Sequence, residues 1–201
     1  VHCLSGPAFL LNDMGQVLAC GYNGVGQLGI GDTTDRDTPG LVTGLAGKFV
    51  VQVTAGGASS GALTDTAKCY TWGFGANYQL GHGTTDNQHT PKVVEALKKT
   101  TITQLALASW HGLALDDKGN VYSWGKGEHG AHGQGHNDDQ KLPKQIEYLK
   151  ENKYKIKKIH CKHQQSILLL DSGRTVFTFG AGQYGKLGHG DVVNRNTPTV
   201  I

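Results

Sequence analysis

The sequence predicts an all-β protein made of β-propeller blades, each of four antiparallel strands, and three observations carry that reading. A glycine-rich segment recurs four times with its leading glycine at 21, 73, 125 and 180, spacings of 52, 52 and 55 residues. A proline follows each leading glycine by eighteen residues, at Pro39, Pro91, Pro143 and Pro198. A short alternating run ending in a bulky residue precedes three of the four glycine segments, and Val17-Leu-Ala-Cys20 precedes the first. Repeats of about 50 residues with four short strands each cannot bury both faces of their sheets alone, whereas stacked blades can.

Each unit is legible in chain order. It opens on an apolar run such as Val50-Val-Gln-Val53, Ile102-Thr-Gln-Leu105 or Ile156-Lys-Lys-Ile159. A hairpin follows, its first strand ending in Leu10-Leu11, Ala62-Leu63, Ala114-Leu115 or Leu168-Leu169. The turns Asn12-Asp-Met-Gly15, Asp116-Asp-Lys-Gly119 and Asp171-Ser-Gly173 place glycine at the positive-φ position. The second unit has Ala67 there, so either the turn type changes or Ala67 carries strain of about 1–2 kcal/mol.

The second hairpin strand alternates faces. One face carries Leu18/Cys20, Tyr70/Trp72, Tyr122/Trp124 and Phe177/Phe179; the other carries Val17/Ala19, Cys69/Thr71, Val121/Ser123 and Val176/Thr178. A bulky face and a small face suit stacking between like sheets. The proline-bearing run suits an edge strand, where proline need not donate to a ladder. Short helical turns are expected around Glu95 to Lys99 and Ile146 to Asn152. The units run over about 1–50, 51–102, 103–155 and 156–201 as one repeat domain, the first starting at its second strand.

Composition narrows the function classes. Glycine makes up 30 of 201 residues, about twice the usual ~7%, and nineteen of those glycines lie in the four loops, so the bias belongs to the repeat. No run of 18 apolar residues exists to span a membrane, and no signal peptide is visible at Val1-His2-Cys3-Leu4. The missing initiator Met makes the chain read as an excised or processed piece. Cys3, Cys20, Cys69 and Cys161 form no C-x-x-C pair and read as reduced packing cysteines of an intracellular (cytoplasmic or nuclear) protein.

These residues resemble the repeats of the regulator of chromosome condensation family. The matching motif is Gly-x-Gly/Asn-x-x-Gly-x-Leu-Gly-x-Gly, as in Gly180-Ala-Gly-Gln-Tyr-Gly-Lys-Leu-Gly-His-Gly190, and it covers the whole chain four times over. The resemblance implies a seven-bladed propeller, of which this chain is about half; a closed four-bladed ring and two chains completing one ring are the alternatives. It also implies a histidine ahead of each hairpin. Only His111 holds that place, with Pro7, Ser59 and Gln165 at the equivalents. The family's founding member is a guanine nucleotide exchange factor that acts through an inserted wedge. Here the largest insertion is about three residues, so no wedge is evident. The ultraviolet-B-sensing branch has Trp two places before the His with Arg between; here Trp110 adjoins His111 and the Arg is absent.

Chemistry-bearing patterns are few. Gly-x-Gly-x-x-Gly occurs at Gly125 to Gly130 and Gly180 to Gly185, but strands and proline follow rather than a helix, so these are tight turns and not dinucleotide sites. His129, His132 and His136, with His160 and His163, have zinc-like spacing, yet the first three are turn positions in a loop where His132 replaces Leu28, Leu80 and Leu187. Asp32, Asp35, Asp37, Asp138 and Asp139 read as solvated turn residues, and no nucleophile with an oriented base stands out. No catalysis, cofactor, metal or small-molecule substrate is expected.

Partner binding is what remains. The segment 141–162 holds eight lysines against Glu147 and Glu151, about +6 in a chain of net +3. Such a surface steers acidic partners. Trp110 is the one tryptophan away from a repeated strand end, and an exposed tryptophan is a binding anchor. The candidate partner-binding residues are Trp110, His111, Lys150, Lys153, Lys155, Lys157 and Lys158. The expected role is a non-catalytic scaffold for a protein partner. The alternatives are exchange on a small GTPase, and chromatin or DNA binding through 141–162.

Overall fold

The computed structural model describes residues 2–3 and 6–201. It contains sixteen strands in four antiparallel sheets, each ordered as in the chain. The first sheet is β1 (His2–Cys3), β2 (Pro7–Leu11), β3 (Val17–Gly21) and β4 (Arg36–Leu41). The second is β5 (Val50–Ala55), β6 (Ser59–Thr64), β7 (Cys69–Gly73) and β8 (Gln88–Val93). The third is β9 (Ile102–Leu107), β10 (His111–Asp116), β11 (Val121–Gly125) and β12 (Gln140–Gln145). The fourth is β13 (Ile156–Lys162), β14 (Gln165–Leu170), β15 (Val176–Gly180) and β16 (Arg195–Val200).

The first unit differs from the expectation that it starts at its second strand. His2 and Cys3 pair with Phe9 and Ala8, a bridge too short to leave a periodic signal. The expected helical turns form as a 3-10 turn at Glu95–Leu97 and as α1 (Glu147–Glu151). The proline-bearing strands β4, β8, β12 and β16 lie at the outer edge of their sheets, where the missing N–H costs no ladder bond.

The sheets are stacked as blades. β5 lies against β9, and β9 against β13, so the first strands form the inner line of the fan. Three hydrophobic cores fill the three spaces between blades. Phe9, Leu28 and Trp72 join the first two blades; Leu63, Leu105 and Trp124 join the next two; Leu113, Phe177 and Phe179 join the last two. Every residue of β6 and β10 is buried because a blade covers each face. In β14, Ile167 is 36% exposed, because its outgoing face carries no further blade here.

The glycine loops lock one blade to the next. Trp72 Nε1 donates to the Gln27 carbonyl at 2.9 Å, and Trp124 Nε1 to the Gln79 carbonyl at 2.8 Å. The third loop meets Phe179, which has no donor, so the Ala131 carbonyl keeps only the serine bond, from Ser166 Oγ at 2.9 Å, that Ser60 Oγ makes to Gln27 beside Trp72 at 2.8 Å. Gly29, Gly81 and Gly133 sit flat on those three rings, where a Cβ would come within 2.6, 3.0 and 2.6 Å. These three loop glycines are therefore a packing requirement between blades.

Two sequence expectations resolve locally. Ala67 adopts φ +59° beside φ +70° at Gly15 and +76° at Gly119, so the turn is kept and the alanine takes the strain. Asp35 and Asp139 are more than solvated turn residues. Their carboxylates accept from the Asn23 and Gly127 amides at 2.7 and 3.0 Å, and Asn87 and Asn194 do the same for Gly75 and Gly182.

Candidate partner-binding surface

The blades have two ends. The glycine loops and the short links between first and second strands lie at one end; the hairpin turns and the blade-to-blade connections lie at the other. Trp110 is on the link between β9 and β10, at the loop end. It is half-buried, and the Lys126 ammonium stands 4.5 Å from the centre of its ring. A cation over an indole face is attracted by the ring quadrupole. Lys126 also bonds Glu128 at 2.6 Å, which holds the Glu128 carboxyl below the usual range, and His129 lies 3.8 Å beyond. Backbone fixes the pair, because the Lys126 amide donates to the Trp110 carbonyl at 2.8 Å. Ser109, His163 and Gln164 share a recess with Trp110.

His111 lies one residue on but faces inward and is fully buried. Its Nε2 is 2.8 Å from Ser166 Oγ. The Ser166 hydrogen goes to Ala131, so the hydroxyl accepts from His111 Nε2–H, which sets the neutral tautomer. Burial first, and then the nearby His132, push the His111 pKa down to about 3. His111 therefore ties the third blade to the fourth, and any contribution to partner binding acts through that tie.

The lysines lie mostly at the other end. Lys150 is on α1 and pairs with Glu147 at 2.8 Å, and Lys153 follows it. Lys155 donates to Asn120 Oδ1 at 2.9 Å. Lys157 and Lys158 open β13, and both are exposed. The seven residues of β13 carry the chain about 20 Å at ~3.3 Å per residue, from that end to Lys162 beside the Trp110 link. The structure therefore places Lys150, Lys153, Lys155, Lys157 and Lys158 at the hairpin-turn end, away from Trp110. Lys126 is the cation that stands over Trp110, and the His163 ring lines the same recess as the indole. Lys126 had a signal in the sequence, since Tyr22, Phe74 and Ala181 stand at its repeat position.

The loop histidines are used internally. His132 Nε2 lies 2.8 Å from the Asp138 carbonyl, and its Nδ1 accepts from the Gln134 amide at 3.2 Å. Its ring packs edge-on to His136 with centroids 5.1 Å apart. Among the described residues no three metal-ligating side chains converge. Cys20, Cys69 and Cys161 are free thiols, and burial pushes Cys69 up to about 12. Among the described residues no helix is long and apolar enough to cross a membrane.

Comparison with known proteins agrees with this architecture. The model of the regulator of chromosome condensation (RCC1) repeat matches residues 14–63, 67–115, 118–169 and 175–201. The chain is 38% identical over 191 residues to the human E3 ubiquitin-protein ligase HERC2, covering 94% of this chain and 4% of that protein. It is 32% identical to the Arabidopsis thaliana ultraviolet-B receptor UVR8, covering 93% of this chain and 42% of the receptor. Among solved structures, human WBSCR16 superposes with a TM-score of 0.90 at 25% identity, over 99% of this chain and 51% of that one. Prp20p from Saccharomyces cerevisiae superposes with a TM-score of 0.81 at 22% identity, over 98% and 48%. The chain thus spans less than half the length of these two curated relatives. Four matched repeats on four stacked blades place it in the regulator of chromosome condensation (RCC1) repeat family, as a β-propeller domain.

Proposed function

We propose that this chain is a non-catalytic interaction scaffold that holds a protein partner at its loop end, around Trp110. The observation that supports this reading is the Trp110–Lys126–Glu128 group. An indole is half-exposed on a rigid link, and a stacked cation keeps it in place. Tryptophan at the centre of a contact contributes more than most residues. The test is crosslinking capture with the full chain and with Trp110→Ala. Loss of captured partners with unchanged melting supports the reading. Retention of every partner at wild-type yield overturns it.

A second reading has its own support. Lys153 and Lys157 form no ion pair among the described residues and lie at the same end of the blade as Lys150 and Lys155. That end suits an acidic or nucleic-acid partner, and the Prp20p structure is described with binding to Gsp1p and histones. Binding of duplex DNA that weakens steeply with salt and fails in Lys153→Glu/Lys157→Glu supports it. Exchange on a small GTPase is checked by nucleotide release from a GTPase panel.

A further inference from the structure

The inner strands are sheet edges, and exposed edges are normally blocked. Here side chains of the preceding blade do the blocking. Gln52 Oε1 accepts from the Leu105 amide at 3.0 Å, and its Nε2 donates to the Leu105 carbonyl at 2.7 Å. Thr54 Oγ1 accepts from the Leu107 amide at 3.4 Å. One blade on, Gln104 does for Ile159 what Gln52 does for Leu105, at 2.9 and 2.8 Å. The next position breaks the pattern, because Ala106 stands where Thr54 stood.

The reason is packing. Thr54 pairs across the hairpin with Gly61, and Ala106 with Leu113, so the bulk has moved from one strand to the other. An alanine cannot cap Cys161, the counterpart of Leu107. The register from Ile159 to Lys162 is unbroken, so Cys161 turns its N–H and C=O the same way as Ile159, away from β14. No side chain among the described residues reaches them. They face a groove of about 340 Å3 between the inner strands. Its lining includes Lys162, His160 and His163 and not one carboxylate.

We propose that this groove takes an extended acidic peptide segment of a partner, which pairs through its main chain with Cys161 and sets a carboxylate against Lys162. Main-chain bonds to a free edge supply affinity, and charge complementarity selects the segment. The inference rests on the scaffold reading; the groove adjoins the Trp110 recess and shares Ser109 and His163 with it, but its paired edge is Cys161 and its lining does not include the indole.

The probe is a fluorescein-labelled peptide, acetyl-Asp-Val-Asp-Val-Asp-amide, titrated with the full chain. Binding is expected to weaken at least tenfold in Lys162→Glu. It is expected to weaken several-fold in Ala106→Ser, whose hydroxyl reaches the Cys161 amide with little added bulk. It is also expected to weaken when the peptide's central amide is N-methylated, a change that leaves the protein untouched. Trp110→Ala is expected to bind the peptide as the wild type does. Binding that ignores both N-methylation and Lys162→Glu, or no binding at millimolar peptide, overturns the proposal. Loss only in Trp110→Ala also overturns it and moves the contact to the rim.

Discussion

Gln104 grips Ile159 across fifty-five residues of sequence, its amide nitrogen donating to the Ile159 carbonyl at 2.8 Å and its amide oxygen accepting from the Ile159 N–H at 2.9 Å. Both bonds cross from the third blade to the fourth. Gln104→Leu removes them and leaves two backbone groups facing a solvent-accessible groove, where water replaces part of what is lost. The expected cost is about 1–2 kcal/mol by urea denaturation, with Gln52→Leu costing a similar amount. A change under ~0.3 kcal/mol at both sites would remove the glutamines from the account of blade stacking.

His111 makes stability fall with acid. Its folded pKa is depressed to about 3, against about 6.5 in an unfolded chain. The folded state therefore binds fewer protons than the unfolded state between those values. The stability His111 contributes is complete above pH 6.5 and declines as pH falls toward 3. From pH 7 to pH 5 the loss is about 2 kcal/mol for this one group. His111→Gln, the residue at the same place in the fourth blade, is expected to flatten that slope in denaturant titrations at both pH values. An unchanged slope counts against a buried neutral imidazole.

Ser166 bridges His111 and the Ala131 carbonyl, so Ser166→Ala leaves a buried donor and a buried acceptor unmatched. The expected loss is about 2–3 kcal/mol. Phe179 occupies the place of Trp72 and Trp124, whose indole N–H groups bond the equivalent carbonyls. Adding Phe179→Trp to the Ser166→Ala variant is expected to recover about 1 kcal/mol. No recovery in calorimetric melting means that the indole does not find Ala131.

Ala67 holds φ +59° in a turn where its counterparts are glycine. Ala67→Gly relieves a clash of about 1–2 kcal/mol and restores some unfolded-state entropy, so a net gain of about 1 kcal/mol is expected. A loss of stability shows that the methyl contributes packing that outweighs the strain.

Gly81 and Gly190 separate the two demands placed on loop glycines. A Cβ on Gly81 meets the Trp124 ring at 3.0 Å and the backbone is at φ +74°; on Gly190 it meets nothing within 4 Å at φ +78°. Gly190→Ala is expected to cost about 1 kcal/mol of backbone strain. Gly81→Ala is expected to cost clearly more, since the indole must also shift. Equal losses in thermal melts indicate that the ring moves freely.

Much of this protein was legible in its residues. Strand alternation, glycine turns and the spacing of loops are local properties, governed by neighbours a few residues apart, so four blades and their element order follow from the repeat itself. Even the strain at Ala67 was visible as one break in a turn pattern. What only the tertiary structure decided lies in contacts between residues about fifty positions apart. Trp110 and the lysines sit within one stretch of sequence, yet a strand of about 20 Å puts them at opposite ends of a blade. His111 adjoins an accessible tryptophan and is itself buried, because Trp110 lies on the link while His111 opens β10, a strand covered on both faces. The capped edge at Ile159 and the bare edge at Cys161 depend on which residue the preceding blade presents, a juxtaposition that exists only after the sheets have stacked.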